Sequence, residues 1–297
     1  SDRRFGTQTT GVSLTQALYR PANWAAYAQG SRQWALADAV LAVADQDIMM
    51  RVSQAYFDVL AAHDTLSFIA AQKTAITEQL ASAKRNFEVG TSTITDTREA
   101  QARYDLMLAQ ELAAQNDLRI KLLALESVAG INGIAPKPLA ANAVLPDVTT
   151  GSLDDWVAQA VAHHPTIKQA KLALEIAQLE VDKANAAHQP TVDVTASYGT
   201  NHNPNGTGSS SIGSRSTSGS IGVNLSLPLF AGFSHTNRIK EALALHDKAQ
   251  SDVTAAERAV AQAARTAYLG AQSLAGQLKA LQTAQESSQS ALDANRL

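Results

Sequence analysis

The side chains that could perform catalysis or bind a metal are scattered along this chain of 297 residues. His163 and His164 are adjacent, so on a helix they point about 100° apart, which favours exposure at a helix end before Pro165 over metal binding. Asp154 and Asp155 are typical of first-turn acids that favour the helix dipole, not of a catalytic pair. The remaining histidines show no metal-ligand spacing: His63, His188, His202, His235 and His246.

Composition excludes further classes of chemistry. The chain has no cysteine, which rules out disulfides, thiol catalysis and thiolate metal sites. Gly206, Thr207 and Gly208 do not form a phosphate loop, because no Gly-Lys-Ser/Thr follows them. A net charge of -3 gives no basic footprint for nucleic acid. We therefore predict that the protein is not an enzyme, with no cofactor, no catalytic or metal site and no nucleic-acid partner.

Long helices dominate the predicted fold. About a fifth of the residues are alanine, the best helix former. Residues 24–89 contain no proline, and a helix of roughly 65 residues is about 100 Å long, which exceeds the diameter of an ordinary domain. Apolar residues from Val52 to Leu80 follow steps of three and four residues. A second helix is predicted from 97 to about 128, and the short link predicts a helical hairpin.

The link between these helices spans residues 89–96. Gly90 suits the left-handed position at a helix C-terminus. Thr95 or Asp96 suits the N-cap of the next helix. Asp96 is interpreted first as a cap and second as a gate or docking residue.

Three segments alternate in the manner of β-strands: 5–19, 191–200 and 220–227. Each has an apolar face opposed by small polar residues, and a Gly/Ser/Asn-rich stretch separates the last two. Such a pattern suits strands that face lipid, although a half-buried sheet in a soluble domain remains an alternative on the strands alone. No apolar run reaches ~18 residues, so no membrane-spanning helix is predicted.

The chain repeats itself. Residues 11–19 parallel residues 222–230, and Ala267-Tyr268 parallels Ala55-Tyr56, so each copy is a strand, a break and a long helix. Tyr56 and Tyr268 are interpreted as packing residues. The repeat predicts a longer protein with a further strand upstream and a second complete helical hairpin.

With these motifs in this order along the chain, the sequence resembles the TolC family of outer-membrane efflux and type I secretion channels. The resemblance runs over essentially the whole chain. The residues that carry it are Phe87-Glu88-Val89-Gly90-Thr91, Ile94-Thr95-Asp96, Ala102-Arg103-Tyr104-Asp105, Ala55-Tyr56-Phe57, Trp24, His188-Gln189-Pro190-Thr191 and Leu227-Pro228-Leu229-Phe230.

The resemblance implies a mainly α fold class with membrane β-structure. Long antiparallel helical hairpins form an α-barrel tunnel, strands contribute to a trimeric 12-stranded outer-membrane β-barrel, and the protomer arises from an internal duplication. The implied regions are a barrel strand (1–20), a first long helical hairpin (21–129) with its tip at 89–96, an equatorial connector (130–152), shorter tunnel helices (153–189), a barrel hairpin (190–231) with an extracellular loop (201–217), and a second long tunnel helix (232–297) that belongs to an incomplete hairpin.

The implied function is passive passage across the outer membrane and periplasm, for drug efflux or type I protein secretion. The implied partners are two further copies in a homotrimer, outer-membrane lipid, a periplasmic adaptor (a membrane fusion protein) and an inner-membrane pump. The implied location is the outer membrane of a Gram-negative bacterium, extending into the periplasm. A periplasmic helical-hairpin adaptor or a structural coiled-coil protein is the alternative.

Three sets of site residues follow from the resemblance. The periplasmic tip for adaptor docking comprises Val89, Gly90, Thr91, Thr95 and Asp96. The lipid-facing strand residues are Val192, Val194, Tyr198, Ile221, Val223 and Leu225. The strand–helix junctions contain Pro21, Trp24, Pro228 and Gly232.

Overall fold

A computed structural model describes residues 6–140, 151–206 and 212–294. These residues form long helices and one sheet, which confirms the predicted fold class at that level. In chain order the elements are β1 (Gln8–Tyr19), α1 (Pro21–Glu88), α2 (Ile94–Ala129), α3 (Leu153–His163), α4 (Pro165–Ala186), β2 (Thr191–Asn203), β3 (Ser214–Ser226) and α5 (Ser234–Ala294). Among the described helices, none combines the length and apolar character needed to cross a membrane.

The chain divides into two units, residues 1–40 with 148–297 and residues 41–147. In the second unit, α1 and α2 pack as a hairpin that buries Val59, Leu80 and Leu125. The Lys73 Nζ atom lies 2.6 Å from Glu111 Oε2, so an ion pair also joins the two helices. Because alanine lets helix backbones approach closely, this hairpin needs few large buried side chains.

In the unit that contains the sheet, α4 packs against α5. Val181, Ala184 and Ala242 form the buried contact, and Ile239 packs against it. Above this contact Glu180 accepts hydrogen bonds from three side chains: Gln29 at 3.0 Å, Arg238 at 2.7 Å and Lys183 at 3.1 Å. Burial alone raises the pKa of Glu180, but these hydrogen bonds outweigh it and hold the pKa below its ordinary value.

The sheet is antiparallel with the strand order β1-β2-β3. A bulge between Ala17 and Tyr19 interrupts the β1–β2 register just before β1 ends. β3 ends at Ser226, before Pro228 and one residue short of the alternating segment that ends at residue 227. Proline cannot donate to a strand ladder, so the earlier end is the expected one.

The hairpin loop between β2 and β3 is shorter than predicted. Residues 201–217 were expected to form the loop, but β2 continues to Asn203 and β3 begins at Ser214, with Asn203 and Ser214 directly paired. Backbone pairing does not require apolar side chains, so polar residues extend both strands. Thr207, Gly208 and the three serines that follow lie outside the described residues.

Candidate membrane-facing sheet, junction and helical tip

The strand register gathers apolar side chains on one face of the sheet. Val192 pairs with Leu225, Val194 with Val223, and Ala196 with Ile221, and Tyr198 shares this face at alternate spacing. Val12 and Leu14 of β1 pair with Tyr198 and Ala196 and extend the same face. Ile221 is 84% exposed and Val223 is 72% exposed. All six residues predicted to face lipid therefore lie on one face of the sheet, where Val192 and Val194 are half-buried and the other four are exposed.

The opposite face is small and polar. Asp193, Thr195 and Ser197 alternate with the apolar residues of β2. The Ser197 and Ser220 hydroxyls are 2.8 Å apart and share a hydrogen bond across β2 and β3. Hydroxyl groups that bond to neighbouring strands leave a face that water can wet. The sheet therefore separates an apolar side from a hydrophilic side.

An ion pair that the sequence analysis did not anticipate closes one end of the sheet. Arg20 follows β1, and its Nε and Nη2 atoms donate to Asp193 Oδ1 and Oδ2 at 2.9 and 2.7 Å. Asp193 is only 7% exposed. A bidentate guanidinium–carboxylate pair fixes both position and orientation. The available signal was that Asp193 is the single acid in the three strands.

The predicted junction residues lie where strands pass into helices. Pro21 is the first residue of α1, a position where its missing N–H costs no helical hydrogen bond. The Trp24 ring packs edge-on against Tyr19, with ring centroids 5.4 Å apart. Pro228 follows β3, and Gly232 adopts φ +56°, in the left-handed region that glycine tolerates best, just before α5.

The end of α1 is a Schellman motif. Gly90 N–H donates to the Phe87 carbonyl at 3.0 Å, and Thr91 N–H donates to the Asn86 carbonyl at 2.8 Å. Gly90 has φ +80°, which confirms the left-handed conformation predicted for it. Val89, beside it, is 73% exposed. The motif thus stops the helix and leaves an apolar side chain at the link.

The start of α2 corrects the predicted cap. Thr93, rather than Thr95 or Asp96, is the N-cap, and Asp96 is the third residue of a capping box. Asp96 Oδ2 accepts from Thr93 N–H and Thr93 Oγ1, both at 2.8 Å, while Thr93 Oγ1 accepts from Asp96 N–H at 3.3 Å. The reciprocal pair satisfies two backbone donors, whereas a cap at Asp96 would satisfy fewer. The bonds from Thr93 lower the pKa of Asp96.

Tyr56 and Tyr268 do more than pack. The Tyr56 hydroxyl donates to the Lys137 carbonyl at 2.7 Å, and the Tyr268 hydroxyl donates to the Gly151 carbonyl at 3.1 Å. The equivalent residues of the two repeats therefore each hold one end of the segment between α2 and α3. The repeat itself was the only sequence signal for this shared role.

The histidines lie at separate places in the structure. His188 and His235 come together with ring centroids 5.1 Å apart, although nothing in their spacing predicted it. His164 caps α4, with Nδ1 accepting from Thr166 N–H at 3.2 Å. Within the described part of the chain, no three His, Asp or Glu side chains are grouped so as to hold a metal ion.

The chain is similar to known outer-membrane proteins. It is 31% identical over 286 residues to the outer membrane protein TolC of Vibrio cholerae, covering 96% of this chain and 65% of that protein. It is 29% identical over 307 residues to the alkaline protease secretion protein AprF of Pseudomonas aeruginosa, covering 99% of this chain and 61% of that protein. The chain therefore spans a little under two thirds of the length of these relatives.

The fold is that of solved channels. The CmeC outer membrane channel of Campylobacter jejuni superimposes with a TM-score of 0.79 at 16% identity, covering 96% of this chain and 66% of that one. The outer membrane efflux protein family matches residues 1–131 and 156–296. These matches confirm the resemblance and the outer-membrane location predicted from the sequence, and they do not favour the adaptor alternative. The chain belongs to the outer membrane efflux protein family.

Proposed function

We propose that the chain is part of a channel-tunnel protomer that gives passive passage across the outer membrane and periplasm. The observation that carries this proposal is the position of the connections between the sheet and its helices. Tyr19, Thr191 and Ser226 lie at one end of the sheet, where β1 leads into α1, β2 follows α4 and β3 leads towards α5. The β2–β3 hairpin turn lies at the other end.

This polarity matches a strand hairpin in the membrane with helices on its periplasmic side. The apolar face defined by Val12, Tyr198 and Val223 then meets lipid, and the polar face with Ser197 and Ser220 lines the lumen. Within the described residues, the outer edges of β1 and β3 pair with no further strand. Exposed strand edges cannot remain unpaired in lipid, so they require strands from elsewhere. The predicted upstream strand of the same protein and the two further copies in a homotrimer supply them.

The helices support a tunnel. α5 has 61 residues and rises ~90 Å. Its last turns expose leucines at helical spacing, including Leu274, Leu278 and Leu281. An apolar stripe on a helix needs a neighbour. Neighbouring helices of the assembled protein cover this stripe and form a hollow cylinder, and no step in this passage requires catalysis.

Residues 89–96 form the periplasmic tip in this proposal. The Schellman motif and the capping box hold the link with internal hydrogen bonds and leave Val89 and Ile94 exposed. A rigid, partly apolar tip suits docking to a periplasmic adaptor, which in turn contacts an inner-membrane pump. Drugs and secreted proteins are the two cargo classes.

The docking step is testable because the chain has no cysteine of its own. Val89→Cys in the full-length protein should cross-link to the adaptor in cells. Asn116→Cys, also exposed on α2 but six turns from the tip, is the matched control. Equal cross-linking from both positions would remove the tip from the proposal.

The channel itself is tested by electron microscopy of the full-length protein extracted in detergent. A threefold hollow rod with a detergent belt at one end is the expected result. Compact particles that need no detergent would overturn the proposal. Drug sensitivity and protein secretion in a deletion strain would then distinguish the two cargo classes.

A further inference from the structure

A row of hydrogen-bond donors crosses the sheet near the hairpin turn. Gln8 pairs with His202, and His202 pairs with Arg215, so one side chain from each strand lies at the same level. These positions are two-residue steps from Tyr198 and Gly219, which puts them on the apolar face. All three residues are exposed.

The distance from this row to the other end of the apolar face can be compared with the thickness of a membrane. Arg215 is ten residues from Leu225 along β3, which corresponds to ~34 Å of strand. With the usual tilt of about 40°, the height is ~26 Å, close to the ~25 Å apolar band of outer-membrane strands. The row therefore lies at the boundary of the band that is farther from the helices.

Polarity rises stepwise towards this boundary. One step from the row towards the helices, Thr10, Thr200 and Thr217 form a line of hydroxyls across the three strands. Apolar residues begin at the next step in that direction. Gln8, His202 and Arg215 then bring amide, imidazole and guanidinium N–H groups side by side.

No carboxylate competes for these donors in the sheet. Asp193 is the only acidic residue of the three strands, and it lies at the opposite end and on the opposite face, bound to Arg20. Among the described residues, Arg215 is in no ion pair with a carboxylate. A guanidinium at this boundary complements an anion supplied from outside the chain.

We propose that Gln8, His202 and Arg215 bind the phosphate of an anionic lipid headgroup in the outer leaflet. The inference rests on the proposed function, since it requires the apolar face to meet lipid. Arg215 contributes the charge and a two-pronged hydrogen bond to phosphate oxygens, and His202 and Gln8 donate from the neighbouring strands. A lipid is favoured over a free anion because the row is continuous with the apolar band.

The test compares two lipid probes on the full-length protein extracted from the outer-membrane fraction in detergent: diphosphorylated lipid A and its dephosphorylated form. The wild-type protein should bind the phosphorylated probe more tightly. Arg215→Gln should reduce this preference about fivefold, as expected for one basic residue near a membrane surface. His202→Gln should reduce it less. Arg258→Gln removes an equal charge from an exposed site on α5 and should preserve it.

Three results would overturn the inference. They are an unchanged preference in Arg215→Gln, an equal loss in Arg258→Gln, and displacement of the lipid by inorganic phosphate at the same concentration, which would indicate a site for free anions. If the wild-type protein is recovered from the outer membrane, any of these three results overturns only the lipid-binding inference and leaves the channel proposal intact. Absence of the wild-type protein from that fraction would remove both proposals.

Discussion

If the apolar face meets lipid, arginine should be most harmful at the middle of the sheet and tolerated at its edge. We consider Ile221→Arg, Val223→Arg and Leu225→Arg, which lie on the same face of β3. The band between Leu225 and Arg215 has its middle near residue 220, so Ile221 is ~3 Å from the middle and Leu225 is ~13 Å from it, using the same rise and tilt.

The expected costs follow this depth. Arginine at the middle of a membrane barrel costs about 2–4 kcal/mol and at the edge about 0–1 kcal/mol. Ile221→Arg should therefore lower the equilibrium for assembly at least tenfold, Val223→Arg should be intermediate, and Leu225→Arg should be mild. Asn224→Arg, between two of these positions but on the polar face, is the matched control.

The assay is the amount of assembled protein in the outer-membrane fraction, measured for all four variants at equal synthesis. Reversible unfolding of each variant in lipid vesicles converts the pattern into free energies. The reasoning is refuted if the three substitutions on the apolar face have equal effects, or if Asn224→Arg is as harmful as Ile221→Arg.

Four other predictions concern the junction, the tip and the connector. Arg20→Ala leaves the carboxylate of Asp193 buried without its partner and should destabilise the sheet, measured as a lower midpoint of denaturant unfolding. Thr93→Ala removes an N-cap and should cost about 1 kcal/mol, measured as faster amide exchange in the first turn of α2. The pKa of Asp96 is lowered in the folded protein, so its capping contribution is fully present above about pH 4, the ordinary carboxyl value. The contribution is lost as the pH falls through the lower pKa of the folded state. Amide exchange in the first turn of α2, measured across this pH range, would show the loss. Tyr56→Phe removes the hydroxyl that holds the Lys137 carbonyl and should increase proteolytic cleavage of the segment after α2.

The predictions on the ion pair, the pH dependence and the tyrosine hydroxyl each have a control. Replacing Arg20 and Asp193 together by alanine should recover much of the stability lost in the single variant, and no recovery would contradict the ion pair's role. Asp96→Asn should flatten the pH dependence of exchange, so a retained acid transition would assign it to another group. Tyr27→Phe alters an exposed tyrosine of α1, and cleavage equal to that of Tyr56→Phe would mean that the hydroxyl contact is unimportant.

The sequence predicted what depends on local pattern and missed what depends on distant partners. Alternation placed Val192 and Val223 on strand faces, and the conformational freedom of glycine identified the turn at Gly90. Local rules can also favour several neighbouring residues equally. Threonine and aspartate are both good N-caps by type, so the sequence predicts a cap at Thr95 or Asp96, whereas the capping box makes Thr93 the cap. The Arg20–Asp193 pair spans 173 positions, so no local rule could find it.

The strand order has a consequence for how the protein folds. β2 and β3 are only ten residues apart in the sequence and can pair soon after both are synthesised. β1 leaves the ribosome before β2, which begins only at Thr191, so Val12 waits for Tyr198 across most of the described chain. Until then the edge of β1 that pairs with β2 stays unpaired and the apolar face of β1 lacks its neighbour, which invites aggregation. Docking of β1 onto a finished hairpin is therefore the expected slow step of folding, and a chaperone that shields the N-terminal strand would accelerate correct assembly more than one that binds the hairpin.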